Sequence, residues 1–375
     1  MKKDNLLLYV FGNGRKKRIE KNYLDSKEFF YGYFHFLEEY KHIEIIEMLP
    51  NEIDVRGLNR LLDLIDKVLR KLSNLPFFFH LITSPKNFKK IFLYKNIFAT
   101  NDRLGLSILP MYIFSKLFKK KNFSVIVMGL FGKPRNNFVV KNIQFFFLKI
   151  YLKTADNFVF LGQGEYNLAL NLFPKYSYKF HFIPFGLNLN FWKSELNNDI
   201  ENKDYILFVG NDGNRDFKEL INIVNSNQAQ NFVLVTNQVN KSDFLFDNVK
   251  IYSGSWNNQV LTDDQLKKVY QNAKITIIPL KNSLQPSGQS VCLQSMSVGT
   301  PVIISETKGF WDIGNFKNKE NIFFVTDNWS SEINKIINNS DILKRVSKNG
   351  LITVKKYYDE KIFINKLSKI LIHQD

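Results

Sequence analysis

SLQPSGQSVCLQSMSVGTPVI, residues 283–303, carries a polar, glycine-containing turn into a helix-forming segment and out into a β-branched run. Just before it, Ile275–Pro279 is an apolar run of strand length, so the order is strand, loop, helix, strand. Gly288 lets the backbone approach a ligand closely, and Ser287 or Ser290 can cap the helix. Free N–H groups of Gly288, Gln289 and their neighbours at such a helix start suit a diphosphate. The same residues also fit an ordinary strand-to-helix turn, and both readings stay open on this segment alone.

The alternation continues outward in both directions. Toward the C-terminus, Pro301–Ser305 and Ile322–Val325 read as strands. Toward the N-terminus lie Val249–Tyr252, Phe232–Thr236 and Tyr205–Val209. Helices fit at Asp216–Asn225, Thr262–Asn272, Ser290–Val298 and Glu332–Asn339, and the tail Ile342–Leu371 reads as helical. The first half repeats the scheme, with strands at Leu6–Phe11, Ile43–Met48, Phe77–Ile82, Ile97–Thr100, Phe123–Met128, Phe158–Leu161 and Phe180–Ile183. Helices fit at Ser26–Glu39 and Arg60–Leu72. Near-continuous apolar strands imply parallel sheets buried on both faces. Two such runs imply an α/β protein with two doubly wound, Rossmann-like domains facing a cleft. We expect residues 1–185 to form the first domain, 186–345 the second, and 346–375 helices that cross back to the first.

The chain has 375 residues, ample for two domains. Its one cysteine, Cys292, cannot form an internal disulfide, which favours a reducing, cytoplasmic setting. No apolar stretch reaches the ~18 residues of a membrane span. Leu6–Phe11 is too short for a signal-peptide core and reads as a strand. The net charge is +17, and residues 1–185 hold 30 Lys and Arg against 15 Asp and Glu. Clusters at Arg15–Arg18 and Lys119–Lys121, with Lys116 and the Lys89–Lys90 pair, suggest a basic face that attracts an anionic membrane surface or acceptor. A solvated surface with no partner fits equally. No recognition motif accompanies the charge, so nucleic acid is not an expected partner.

Segment 283–303 resembles the donor-site motif of the retaining GT-B glycosyltransferases of family 4, group 1 type. Those proteins show a glycine-containing loop, a helix ending Glu-Ala-Met-Ala-x-Gly, then x-Pro-Val-Ile. Here the helix and turn read Gln294-Ser295-Met296-Ser297-Val298-Gly299-Thr300-Pro301-Val302-Ile303. Ile183-Pro184-Phe185-Gly186-Leu187-Asn188 is similar to the family's domain junction, and Asp204–Leu220 to the first strand, loop and helix of its C-terminal domain. Val249–Ser255 with the segment around Leu266–Ala273 looks like its base pocket. The resemblance covers residues 180–372 well, and residues 1–180 mainly by architecture. It implies glycosyl transfer with retention from a nucleotide-sugar donor.

Two departures matter. The family usually carries two glutamates eight positions apart. Gln294 stands at the second, which typically holds the donor ribose, and Pro286, beside Gln285, stands at the first. A Gln side chain still accepts and donates but loses charge assistance. No Asp-x-Asp metal motif occurs. A departing diphosphate then needs fixed positive charge and backbone donors. Arg215, after the Gly210–Asn214 loop, is the first choice and Lys218 the second. An i,i+4 pair of Arg215 with Glu219 is the other reading.

Gly12-Asn13-Gly14-Arg15 ends the first strand and suits either close approach of a ligand or a plain turn. Asn101 and Asp102 end another strand, where Asp102 either meets the acceptor hydroxyl as a base or one of the pair merely caps a helix. His80, within an apolar run, reads as a packed, hydrogen-bonded residue. No metal-ligand spacing occurs, and no cofactor is expected, the nucleotide sugar being a substrate.

The expected function is therefore metal-independent, hexosyl-type transfer to a glycan or lipid-linked acceptor. The setting is assembly of bacterial surface polysaccharide or lipopolysaccharide, at most peripheral to the membrane. A non-catalytic nucleotide-sugar or glycan binder, and an epimerase or hydrolase on the same fold, are the rivals.

Overall fold

The structure, a computed structural model, describes residues 3–21, 26–48, 57–133, 135, 137–193 and 203–371. Two compact units result. The first holds the chain to Leu161, Glu165–Ile183 and the chain from Ile364; the second holds Gly162–Gly164 and Pro184–Phe363.

The first unit carries a parallel sheet of β1 (Lys3–Gly12), β2 (Tyr40–Met48), β3 (Asn96–Ala99), β4 (Asn122–Val127), β5 (Asn157–Phe160) and β6 (Phe180–Phe182). Their order is β2-β1-β3-β4-β5-β6. The strands β3 and β4 are buried along their whole length, as two-sided parallel strands must be. The second unit carries β7 (Tyr205–Val209), β8 (Asn231–Val235), β9 (Val249–Tyr252), β10 (Ala273–Ile278), β11 (Val302–Ser305) and β12 (Phe323–Val325). Their order is β12-β11-β10-β7-β8-β9, again all parallel.

Each sheet therefore reverses direction of growth beside its first strand: between β1 and β3, and between β7 and β10. Ligands of open α/β sheets bind at that point, outside the carboxyl ends of the strands. Of the glycine loops singled out above, Gly12–Gly14 lies at the end of β1, and the Gly210–Asn214 and Gly288 loops follow β7 and β10.

Two expected elements differ. Phe77–Ile82 is not a strand; it follows Pro76 and forms a single 3-10 turn, Phe79–Leu81. Side chains serve its backbone instead of a ladder. Phe78 N–H donates to Ser107 Oγ, and His80 N–H to Asp66 Oδ2 at 3.0 Å. Ser26–Glu39 is not one helix either. A 3-10 turn, Glu28–Phe30, is parted from the helix Tyr33–Glu39 by left-handed backbone at Tyr31 (φ 50°) and Gly32 (φ 78°), a conformation no helix continues through. The segment after the expected domain boundary at residue 185 lies partly outside the described residues, which omit 194–202. Among the described residues no helix is long and apolar enough to cross a membrane.

Candidate active site

The loop after β7 and the loop after β10 are sewn together. Asp216 N–H donates to Pro279 O at 3.0 Å, and Lys281 N–H to Asn214 O at 2.9 Å. Arg215 and Leu280 form a short bridge between them, and Asn214 Nδ2 donates to Ser287 Oγ at 2.8 Å. These bonds hold Arg215 two residues short of the helix Phe217–Ser226, whose cap is Asp216.

Arg215 is 3% exposed. Its ion-pair partner is Asp212, with Nε 3.4 Å from Oδ2, not the Glu219 that helical spacing suggested. Nη1 is buried without a hydrogen-bond partner. Burial pushes the guanidinium below its usual pKa, with Asp212 opposing.

Gly288 caps the helix Gln289–Ser297 in left-handed backbone (φ 77°) and offers no side chain to it. Neither serine caps this helix, contrary to expectation. Ser287 is held by Asn214, and Ser290 lies half-buried in the first turn. No side chain of the cap residue bonds to the helix start. A Cβ on Gly288 would lie 3.0 Å from Arg215 Nη1, and one on Gly210 2.3 Å from Arg215 Nε. Both glycines thus leave the space that the guanidinium occupies. A buried cation, a helix start capped by a glycine and close backbone approach converge at the reversal between β7 and β10. Together they suit an anion.

The other donor-side candidates part company. Gln289 is buried, and Lys218 is exposed on the next helix. Gln294 is buried, its Oε1 accepting from Tyr270 Oη at 3.3 Å. Near the carboxyl ends of β10 to β12 lies a cavity of about 350 Å³, lined among others by Asp216, Glu219, Glu306 and Asp327. Its carboxylates repel a diphosphate, so the Gly288 side is the better fit for an anion.

In the first unit Asn101, not Asp102, caps the helix Asp102–Lys116, accepting from Leu104 N–H at 2.9 Å. Asp102 Oδ1 accepts from Met128 N–H at 2.9 Å. Glu165, unmarked by any motif, accepts from Gly129 N–H at 2.7 Å and Phe131 N–H at 2.8 Å. Burial pushes Asp102 up to about 6, while burial and the Asp102 charge push Glu165 up to about 8. Both carboxyls hold a proton more tightly folded than unfolded, so their contribution to stability is present at low pH and lost as pH rises through these values. The melting temperature is expected to fall from about pH 4, where the unfolded carboxyls ionise, to about pH 8, where both are ionised in the folded state as well. Glu165→Gln should flatten the upper part of that fall; an unchanged slope in this variant rejects the assignment.

Gly12 ends β1, and Gly14 (φ 73°) precedes the helix Arg15–Glu20. Arg15 is not available to a ligand. Its Nε donates to Phe29 O at 2.8 Å, its Nη1 to Gly12 O at 2.9 Å, and it sits over the Tyr31 ring. The expected basic clusters are thinned the same way. Arg18 is buried, Lys121 donates to three carbonyls, and Lys90 pairs with Glu44. Sequence spacing cannot tell a solvated cation from one spent on backbone oxygens. His80 is packed as expected, Nδ1 lying 2.7 Å from Asp66 Oδ2.

Comparison with known proteins follows the same division. Residues 192–352 match the family model for glycosyl transferases, group 1. That match includes the loops that carry Arg215 and Gly288. Solved structures similar over the whole chain show the GT-B fold. HepE of Anabaena in complex with UDP and glucose is 12% identical, covering 97% of this chain and 98% of that one, with TM-score 0.63. A glycosyltransferase from Rickettsia africae is 13% identical, covering 98% of each chain, with TM-score 0.62. The trehalose 6-phosphate synthase of Burkholderia multivorans is 7% identical, covering 98% of each, with TM-score 0.66. No curated protein matches the sequence. The group 1 segment thus coincides with the unit in which Arg215 and Gly288 meet.

Proposed function

We propose that this protein is a glycosyltransferase that moves a sugar, of hexosyl type, from a nucleotide-sugar donor to a glycan or lipid-linked acceptor, with retention and without a metal. One observation carries the reading: the Arg215 guanidinium, buried with Nη1 unpartnered, lies against Gly288 at the start of the helix Gln289–Ser297. Cleaving the sugar–phosphate bond leaves the bonding electrons, and hence growing negative charge, on the diphosphate. A fixed cation and oriented N–H groups stabilise that charge without reorganising. The group 1 match, and the UDP-glucose bound by the HepE of Anabaena, support a nucleotide sugar as donor. In the first unit Asp102 is the residue for the acceptor hydroxyl, since a carboxyl held near 6 can take a proton at neutral pH. Synthesis of bacterial surface polysaccharide or lipopolysaccharide is the setting this chemistry serves.

A second reading has one observation in its favour. Gln294 replaces the carboxylate expected at the ribose and is turned to Tyr270, which fits a nucleotide-sugar binder without transfer. Two measurements separate the readings. UDP at about 100 times its dissociation constant should raise stability by about 2.7 kcal/mol in a thermal shift. No shift with any nucleoside diphosphate rejects both. Labelled donor should then lose its sugar to an acceptor; binding without turnover favours the second reading, and release of free sugar or epimer favours other chemistry on the fold.

A further inference from the structure

The helix Leu58–Ser73 is built inside out. Its inner face is polar: Asp66 and Ser73 are fully buried, and Asn59, Asp63 and Arg70 are partly covered, with only Leu62 and Leu69 among them. Bonds secure that face. Asp66 takes both His80 N–H and the His80 ring, and Arg70 Nη1 donates to Phe77 O while its guanidinium lies 4.4 Å from the centre of the Phe78 ring.

The outer face is apolar. Leu58, Leu61, Ile65, Val68 and Leu72 recur at alternating three- and four-residue spacing along the whole helix, and all are exposed, Leu61 by 56% and Val68 by 50%. Such a stripe normally faces a core. An uninterrupted exposed stripe marks a surface that something else covers. The helix Phe138–Thr154, which packs beside it, adds exposed Phe138 and Phe146. Exposed cations flank both rows: Arg60 and Lys71 on one helix, Lys141 and Lys149 on the other.

We propose that these two helices are the face with which the protein lies on an anionic phospholipid surface. The apolar rows enter the boundary between headgroups and acyl chains, and the cations meet lipid phosphates. Charge decides between this occupant and a second copy of the chain. Two copies set face to face would oppose Arg60, Lys71, Lys141 and Lys149 with their own like, whereas an anionic surface gains from stripe and cations together. The inference stands on these exposed side chains and not on the glycosyl-transfer reading.

Vesicle co-sedimentation with the full chain tests it, using equal parts phosphatidylglycerol and phosphatidylcholine, with pure phosphatidylcholine for comparison. Wild type should pellet with the anionic vesicles and lose binding in high salt. Leu61→Gln/Ile65→Gln/Val68→Gln should weaken binding at least ~10-fold. Arg60→Gln/Lys71→Gln should weaken it by roughly fivefold per cation and reduce the salt dependence. A melting curve confirms that each variant is folded, and the charge variant carries the test if the apolar one is not. Wild type left in the supernatant, or variants binding as tightly as wild type, overturns the proposal. So does a wild-type dimer, seen by sedimentation velocity without lipid, that the apolar variant converts to monomer.

Discussion

Arg215→Met should lower turnover about 100-fold and, in the same protein, raise the melting temperature. The two effects have one origin. In the free chain Arg215 is a buried cation with Nη1 unpartnered, and Asp212, its ion-pair partner among the described residues, meets it at Nε and is itself half exposed. Burying charge without full compensation costs stability, and an apolar side chain of similar volume removes that cost. The expected gain is about 1–2 kcal/mol, read by calorimetry without nucleotide. That same uncompensated cation is ready for a diphosphate, so the stabilised variant loses the charge that the leaving group needs. Unchanged turnover would remove Arg215 from the chemistry. A lower melting temperature would show that the guanidinium is well paired within the protein.

Gly288→Ala should weaken nucleoside diphosphate binding by more than ~10-fold, corresponding to at least about 1.4 kcal/mol. Two costs add. Left-handed backbone disfavours alanine by roughly 1–2 kcal/mol. The new Cβ would also stand 2.8 Å from Ile278 Cγ2 and 3.0 Å from Arg215 Nη1, so either the helix start or the guanidinium moves. Gly210→Ala presses on the same guanidinium from the other loop and should act in the same direction. Gly213→Ala is the control: no atom lies within 4 Å of its added Cβ, and its backbone is not left-handed. Isothermal calorimetry across the three variants checks the ranking. Equal affinities for Gly288→Ala and Gly213→Ala would place the anion elsewhere.

The loops around Arg215 and Gly288 were legible because their signals are local. Gly288 before a helix-forming segment, and Gly210 and Arg215 after an apolar run, declare turn and helix start within a few residues. What Ser287 does was not legible, since its partner Asn214 lies 73 residues away. Glu165 was missed for the same reason: its burial beside the Met128–Gly132 turn depends on which strand β4 pairs with, and no motif marks it.

Arg15, Arg18 and Lys121 show the limit from the opposite side. Charge composition counts them as surface, yet each is buried in the fold. Phe77–Ile82 has the composition of a strand, but β1 pairs with β3 instead, and Asp66 and Ser107 claim the run's N–H groups.

Spacing along the chain was enough for the alternation of strand and helix, the parallel sheets, and the existence of the helix over residues 60–72. Periodicity states how side chains are distributed around an element. It carries nothing about which side of that element the rest of the molecule covers. Burial comes from contacts between residues far apart in sequence. For that reason the outward turn of the Leu58–Leu72 stripe, the meeting of Arg215 with Gly288, and the loss of Arg15 and Lys121 to backbone carbonyls emerge only once the chain is folded.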